Sequence, residues 1–536
     1  MSTTPNMNQW SLQPSVLSVG GEIHSLAVRY FKQGNPIEQA LTVARAERDR
    51  YAREFNVILP DEDLSKAVCV AYGTDPAALK LDFSDGVLAQ SFVATNPDLK
   101  FVAGADAWYG FDNGVWMPSI DPRQQVAKFL HGQEPKNLSN PKVQQNIHKE
   151  LYSTKKLAAV LFQVKYHPSL LVSETDFDRD PMLLGLPNGE CLDLRDGVIR
   201  KTTREDLISK VMPCAPAPEG AKCERWESFQ HETHTDQDVI RFLQEWFGVC
   251  LTADTSMDML LFLIGLAGAG KGTTIKPLLT LLGSYAMPIG KVMLLAGGDE
   301  ARRDNYLAQL CGKRLAVCGE GDKVKRYDAG ILKMLTGGDH IQARRLGHDP
   351  ISFAPSHKVC VLSNSEPVLD VDDGIRRRVV VIPFRNVPKQ KDDKLRDYFC
   401  SPEVLPFIFR WAIDGCLRWQ RAGKLVVPES VRLRTTEYLE NADLLGIFIK
   451  DRIEEAPGHF LPVSQLYAAW CGYCDLECPG DAGIRGSLKS FVADIERRKP
   501  QWVSSGDNRH SINGVRQRCF VGIRLSNQVF DNNQPR

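Results

Sequence analysis

The spacing of apolar positions changes several times along this chain. From residue 1 to about 85 it is helical: Ile37, Ala40, Leu41 and Ala44 stand at i, i+3, i+4 and i+7, and Gln39, Thr42, Asp49 and Arg50 take the opposite face. From about 86 to 225, short aromatic and β-branched runs alternate with turn signals. These are Asp112-Asn113-Gly114 before Trp116, Asn188-Gly189 and Asp196-Gly197, and they predict a compact, strand-containing region. The stretch from Pro213 to Gly220 reads as a linker or crossing loop, and the next helix carries Val239, Phe242, Leu243, Trp246 and Phe247 on one stripe. Four apolar strand candidates follow, at 259–264, 314–319, 358–363 and 378–384, separated by helical or hairpin segments. That texture predicts an α/β fold with a parallel sheet covered on both faces. The expected organisation is a helical segment over 1–85, a mixed region over 86–225 and the parallel-sheet domain over 226–395. A helical connector over 396–430, a small helical module over 431–525 that ends in a strand at Cys519–Leu525, and a polar tail over 526–536 complete it.

Composition changes this picture only in places. A chain of 536 residues, 43% apolar and 25% charged, is long enough for several domains with ordinary cores. Its net charge is zero, so any nucleic-acid surface has to be local. No apolar run approaches the roughly 18–20 residues of a membrane span, and the opening residues lack the charged and apolar regions of a signal peptide. Fourteen scattered cysteines suit reduced thiols in the host cytoplasm.

The strongest chemical signal is the run Gly265, Leu266, Ala267, Gly268, Ala269, Gly270, Lys271, Gly272, Thr273, directly after a buried strand. Glycines let successive N–H groups turn inward on a phosphate chain, the next helix presents its positive end, and Lys271 reaches the β- and γ-phosphates. The cofactors expected are therefore ATP and Mg2+. The residue after the lysine, which normally offers magnesium a hydroxyl, is Gly272; either Thr273 substitutes or water takes that position. Pro277, inside the following helix, predicts a kink.

Hydrolysis also needs an acid, a residue that positions water, and a cation for the transition state. Glu320, just past the second strand, is the first choice for the catalytic or magnesium-directing acid, and Asp322 is the second. Asn364, at the end of the third strand, suits an amide that senses the γ-phosphate or water. Of the three arginines before the fourth strand, Arg377 and then Arg378 are the candidates for reaching a neighbouring subunit's γ-phosphate, with Arg376 left open.

Five segments occur in a telling order: GLAGAGKGT, LAVCGE, KMLTGGDHIQARR, VCVLSN and DDGIRRRVVVIPF. Together they resemble superfamily 3 helicases, in particular the phage, plasmid and poxvirus primase–helicases. The resemblance continues into Trp108–Trp116, into Asn188–Gly197, and from Tyr438 to Leu525, which is similar to a winged-helix-like module. Residues 30–80 look like the segment that follows a primase domain. The resemblance implies an AAA+-like P-loop ATPase core and a hexameric ring with ATP sites between subunits. It further implies translocation on single-stranded and forked DNA through a basic hairpin lining the channel. Lys333, Arg344, Arg345 and His348 are the DNA-binding candidates, with the hairpin tip at Arg345–Pro350. Primase catalytic motifs are missing, which leaves primer synthesis to a separate primase or polymerase.

Blander readings apply elsewhere. Asp339 and Gln342 are taken as structural, and His231 and His234 as solvated. Cys471, Cys474 and Cys478 have metal-like spacing but no second cluster, and they sit on a helix pattern. Two other functions remain open: an origin-binding initiator whose ATPase controls assembly, and a ring ATPase acting on protein or packaging DNA. An initiator would bind an origin fragment and melt little, whereas a motor would unwind a fork of arbitrary sequence.

Overall fold

The computed structural model describes residues 16–33, 35–55, 59–72, 83–119, 121–134, 141–296, 300–319, 326–345, 350–388, 392–478, 482–503, 509–512 and 514–526. The chain divides into two compact units, Met1–Phe177 and Asp178–Arg536.

The first unit opens with three helices, α1 (Val16–Lys32), α2 (Ile37–Phe55) and α3 (Asp61–Tyr72). The predicted stripe of α2 is its buried face: Ala40 and Ala44 join Val19, Ile23, Leu64 and Val68 in one apolar cluster. Then come α4 (Asp85–Thr95), β1 (Leu99–Val102), β2 (Ala107–Asp112), β3 (Val115–Ser119), α5 (Arg123–Gly132), α6 (Pro141–Leu151), α7 (Thr154–Lys165) and β4 (Leu171–Val172). The strands form a sheet of order β3-β2-β1-β4. The Asn113-Gly114 signal closes the β2–β3 hairpin; both residues have positive φ (45° and 79°), as a two-residue turn of this hand requires.

The second unit begins with the antiparallel sheet β5 (Leu183–Leu186), β6 (Glu190–Asp193) and β7 (Val198–Lys201). Two helices follow, α8 (Glu224–Thr233) and α9 (Gln237–Leu251), and then β8 (Leu260–Gly265), α10 (Lys271–Leu282), β9 (Ala286–Ile289), α11 (Glu300–Gln309) and β10 (Leu315–Cys318). Next are β11 (Arg326–Tyr327), α12 (Ala329–Thr336), the hairpin β12 (Ile341–Arg344) and β13 (Pro350–Phe353), β14 (Lys358–Ser363), β15 (Val368–Leu369), α13 (Asp373–Arg376) and β16 (Val379–Phe384). The central sheet is wholly parallel, with order β16-β8-β14-β10-β9. Leu261 and Leu263 of β8 face one apolar core and Leu260, Phe262 and Ile264 the other, so the strand is buried on both sides. All four predicted strands are present. The fifth, β9, escaped the sequence reading because it is a four-residue edge strand containing Pro288.

The segment over 396–430 is more than the connector that its sequence suggested. It forms α14 (Leu395–Phe399) and α15 (Leu405–Ala422), and α15 is a main wall of the first core. A Cβ on Gly248 of α9 would lie 2.2 Å from the Cys416 nitrogen, and one on Gly415 of α15 would lie 2.1 Å from the Gln244 carbonyl. The two helices therefore touch backbone to backbone. The crossing loop is pinned to the same helix, with the Ala217 N–H on the Pro406 carbonyl at 2.9 Å and Arg410 Nε on the Ala217 carbonyl at 2.8 Å.

The chain ends with α16 (Glu429–Ala442), α17 (Leu444–Arg452), β17 (Ile453–Pro462), α18 (Val463–Glu477), α19 (Leu488–Arg498), β18 (Arg509–Ile512) and β19 (Val515–Leu525). The module expected to be helical with one terminal strand thus holds a three-stranded antiparallel sheet, β17-β19-β18. Among the described residues no helix is long and apolar enough to cross a membrane.

Two predictions follow from this packing. Gly415→Ala should lower the thermal midpoint, at a cost of about 1–3 kcal/mol or more, since the added methyl meets backbone rather than a side chain that can move. Burial also depresses the imidazole of His357 from 6.5 to about 4. It is therefore neutral in the fold but protonated in the unfolded chain below pH 6.5, so stability falls as pH drops from 6.5 toward 4. Thermal melts of His357→Leu should show a shallower loss between pH 7 and 5; an unchanged slope would remove His357 from that account.

Candidate functional site

The glycine loop hangs between β8 and α10 under tight steric limits. A Cβ on Gly265 would lie 2.0 Å from the Phe384 carbonyl, so only glycine lets β8 and β16 stay paired to their ends. Gly268 and Gly270 have φ of 84° and 97°, the left-handed region that glycine enters at no steric cost. At Gly270 the loop also passes close to Phe229 and Thr233 of α8. Trp226 anchors that helix from below, edge-on to Phe399 and Trp411 at centroid distances of 5.0 and 5.5 Å.

Lys271, the first residue of α10, is 2% exposed. Its Nζ donates to the Gly265 carbonyl (2.6 Å), the Leu266 carbonyl (3.0 Å) and Asn364 Oδ1 (2.8 Å). Lysine and asparagine, 93 positions apart, thus meet at one edge of the sheet, because β8 and β14 are parallel neighbours and end together. The same edge receives the end of β10, after which Glu320 and Asp322 lie outside the described residues.

Beside the loop opens a cleft of about 950 Å³, walled by Gly268 through Thr273 and, opposite, by Phe229, Val387, Pro388 and Leu395. Arg225 and Arg396 bring guanidinium groups to it, and Asp392 and Asp393 bring carboxylates. The sequence reading missed these residues; the run Lys391–Asp397 carries charge but no recognisable spacing. Of the two threonines, Thr274 is fully buried and its hydroxyl donates to the Gly270 carbonyl at 3.0 Å, whereas Thr273 is half-buried and lines the cleft. Of the two hydroxyls, Thr273 is thus the one that a ligand in the cleft could reach. The helix runs on through Pro277, which has no N–H to offer the Thr273 carbonyl one turn back.

The arginine triplet lies at the opposite edge. The Arg378 carbonyl accepts from the Leu260 N–H at the start of β8, and the six residues of β16 then run to the glycine loop, about 20 Å away at 3.3 Å per residue. The three arginines have different surroundings. Arg378 is buried, with Nη1 on the Gly374 carbonyl (3.0 Å) and Nη2 on Asp258 (3.1 Å). Arg376 donates to Asp443 at 2.7 Å. Arg377 pairs with Asp258 at 3.6 Å and, with a side chain 66% exposed, is the most exposed of the three. Asp443, at the start of α17, also accepts Arg498 of α19 at 2.7 and 2.8 Å, and Arg498 in turn donates to the Val371 carbonyl.

The DNA-binding candidates separate. The β12–β13 ladder closes at Arg344↔Pro350, so Arg344 and Arg345 stand at the tip of an antiparallel hairpin, and His348 lies outside the described residues. Lys333 is not on that hairpin: it sits on α12 and pairs with Asp372 at 2.8 Å, beside the arginine triplet. His231 is exposed, but His234 is not solvated as its polar neighbourhood suggested. It is 6% exposed, edge-on to Phe384 at 4.7 Å, and burial pulls it down to about 4. Among the described residues no group of three or more His, Cys, Asp or Glu is placed to hold a metal ion. Burial and nearby sulfurs push the Cys474 thiol up to about 12.

Residues 88–235 match the family described as "D5 N terminal like". The chain carries a D5 N-terminal-like domain. That domain begins in α4 and runs across the division between the two units to the end of α8, the helix that flanks the glycine loop. Residues 263–378, from the glycine loop to Arg378, match a family of unknown function, DUF5906. Among curated proteins the chain is 27% identical over 369 residues to Putative helicase L207/L206 of Acanthamoeba polyphaga mimivirus, covering 64% of this chain and 38% of the relative. It is 24% identical to Putative helicase 022R of Frog virus 3 (isolate Goorha), covering 52% and 30%. The chain thus spans roughly a third of the length of the curated relatives it matches. The C terminal region of NrS-1 aligns over 82% of this chain and 100% of that one, at 12% identity and a TM-score of 0.45, too low to bear on the reading.

The Asp443 junction has a measurable consequence. Asp443→Ala leaves two guanidinium groups without their shared carboxylate and should cost about 1–3 kcal/mol. The thermal midpoint should fall, while Arg498→Ala added to it should cost much less than it does alone, which a double-mutant cycle reads directly.

Proposed function

We propose that this chain is an ATP-driven DNA helicase of the superfamily 3 kind, working in the replication of a phage, plasmid or other mobile element. The observation that carries the reading is the buried Lys271 ammonium, held in the glycine loop and bonded to Asn364 at the end of the neighbouring strand. Lysine and asparagine then bracket the γ-phosphate: the ammonium balances its charge, and the amide positions the attacking water. Glu320 is the acid that polarises this water or directs Mg2+, and Thr273 supplies the hydroxyl that Gly272 lacks. Held by Thr273 and Glu320, a bound Mg2+ would supply positive charge to the phosphates, and the water positioned by Asn364 would attack the γ-phosphorus with ADP as the leaving group.

The position of the arginines supports a ring. Arg377 is exposed at the edge of the sheet about 20 Å from the glycine loop of its own chain, a position that favours a site on a neighbouring copy over its own. A closed ring, six-membered in the family it resembles, places each Arg377 against the next subunit's γ-phosphate. The hairpin tip with Arg344 and Arg345 then tracks the phosphates of a threaded single strand without reading sequence. The three-stranded module over 453–525 takes the winged-helix-like role, joined to the arginine edge through Asp443. A primase or polymerase would act as a separate partner.

Lys271→Ala should abolish nucleotide binding and unwinding of a forked duplex of arbitrary sequence. Glu320→Gln and Arg377→Ala should each bind ATP yet lose turnover by roughly a hundredfold or more, the scale of removing one charge that stabilises a transition state. Calorimetry, phosphate release and strand displacement separate these outcomes. Normal turnover in Glu320→Gln refutes that assignment. Binding to an origin fragment without unwinding any fork would favour an initiator over a motor.

A further inference from the structure

Helix α7 is apolar on two opposite faces, and only one of them is covered. Val160 and Val164 point into the core of the first unit, and Lys156 on that side is buried, pairing with Glu150 and Asp85 at 2.7 and 3.0 Å. At 100° per residue, Lys155, Ala158, Ala159, Phe162, Lys165 and Tyr166 share the outward arc. Phe162 is 61% exposed and Tyr166 49% exposed; their ring centroids are 5.1 Å apart, and Lys165 Nζ lies 5.7 Å from the Tyr166 ring. Tyr166 also meets the buried Phe101 edge-on at 6.1 Å, so the open apolar area is the outer face of the Phe162–Tyr166 pair, which a partner with flat apolar faces would cover.

Charge identifies that partner. In a chain of net zero charge, residues 123–166 hold eight Lys or Arg against Glu134 and Glu150, although Arg123, Lys156 and Lys165 pair with Asp121, Asp85 and Asp106 outside that stretch. Among the described residues Lys128, Lys149 and Lys155 are exposed and make no ion pair. The stacked His131–Tyr152–His148 rings contrast with this face: Tyr152 is sandwiched at 3.8 and 4.2 Å, so both sides of its ring are taken. Phe162 and Tyr166 keep open surface on the same arc as the unpaired Lys155, while Lys165 between them is held by Asp106 at 2.6 Å. Open aromatic rings interleaved with lysines suit unpaired bases on a phosphate backbone, and a duplex hides its base faces in the stack.

We propose that the outward face of α7, centred on Phe162 and Tyr166, is a docking surface for single-stranded DNA on the N-terminal unit, separate from the β12–β13 hairpin. Bases stack on the two rings, and Lys155 with its neighbours neutralises phosphates. The proposal does not depend on the motor reading, because it can be tested where nucleotide cannot act.

The test is fluorescence anisotropy of a labelled oligothymidylate with the full chain in a Lys271→Ala background, without nucleotide. Phe162→Ala with Tyr166→Ala should weaken binding at least about fivefold for each ring removed. Phe162→Trp with Tyr166→Trp should retain binding, since any flat ring stacks, whereas a purely structural role would not tolerate the larger ring as well as the native one. Lys155→Glu should reduce the slope of log affinity against log salt by about 0.7 for each phosphate that is no longer neutralised. Unlabelled duplex should compete worse than unlabelled single strand. Both residues are exposed, so thermal midpoints should stay unchanged. Unchanged affinity in the double alanine variant would overturn the proposal. So would loss of self-association by sedimentation with DNA binding intact, which would assign the face to a second copy of the chain.

Discussion

Everything at the candidate site rests on one close approach, that of the Gly265 α-carbon to the Phe384 carbonyl. With no room for a side chain there, β8 and β16 remain paired through their last residues and end at the same height. That common end allows the loop to turn back sharply through two left-handed glycines and lower Lys271 into the space between β8 and β14. A buried ammonium needs oxygen partners to offset desolvation, and two backbone carbonyls with one side-chain amide supply them. The loop is thus a tightly turned cradle whose buried lysine has three oxygen partners.

The parallel sheet then sorts the chemistry into two edges. The carboxyl ends of its strands bring lysine, asparagine and the exit of β10 together. Its amino ends carry buried cations: Arg314 on the carbonyls of Leu251 and Leu183, Lys358 on Thr252, and Arg378 on Asp258 and Gly374. At that edge the cations bond backbone carbonyls at the end of α9, in β5 and in α13, together with the Asp258 carboxylate. Arg377, between two more buried arginines, is the most exposed side chain of the triplet. Asp443 links this edge to α17 and α19, so any shift of the C-terminal module is felt within one residue of Arg377.

The α9–α15 contact explains why the core extends beyond the segment that carries the recognisable order of segments. Gly248 and Gly415 let two helices touch along their backbones, and the crossing loop at Ala217 is bonded into the same contact. Residues 396–430 thereby belong to the core that carries the glycine loop rather than to a joint between modules.

Local pattern was sufficient for much of this. Period and turn chemistry alone located α2, α9, four of the five parallel strands, the Asn113-Gly114 hairpin and the glycine loop, because each is set by residues close together in sequence. Distance in sequence hid the rest. The Lys271–Asn364 bond, the burial of His234 against Phe384, the pairing of Lys333 with Asp372 and the separate fates of three adjacent arginines all depend on which strands became neighbours. The edge strand β9 and the strands β17 and β18 were missed because short or polar strands owe their form to the partner they pair with. The sequence by itself determined which chemistry the chain can hold; the tertiary structure decided which of those groups meet, since strand pairing joins positions that no local spacing connects.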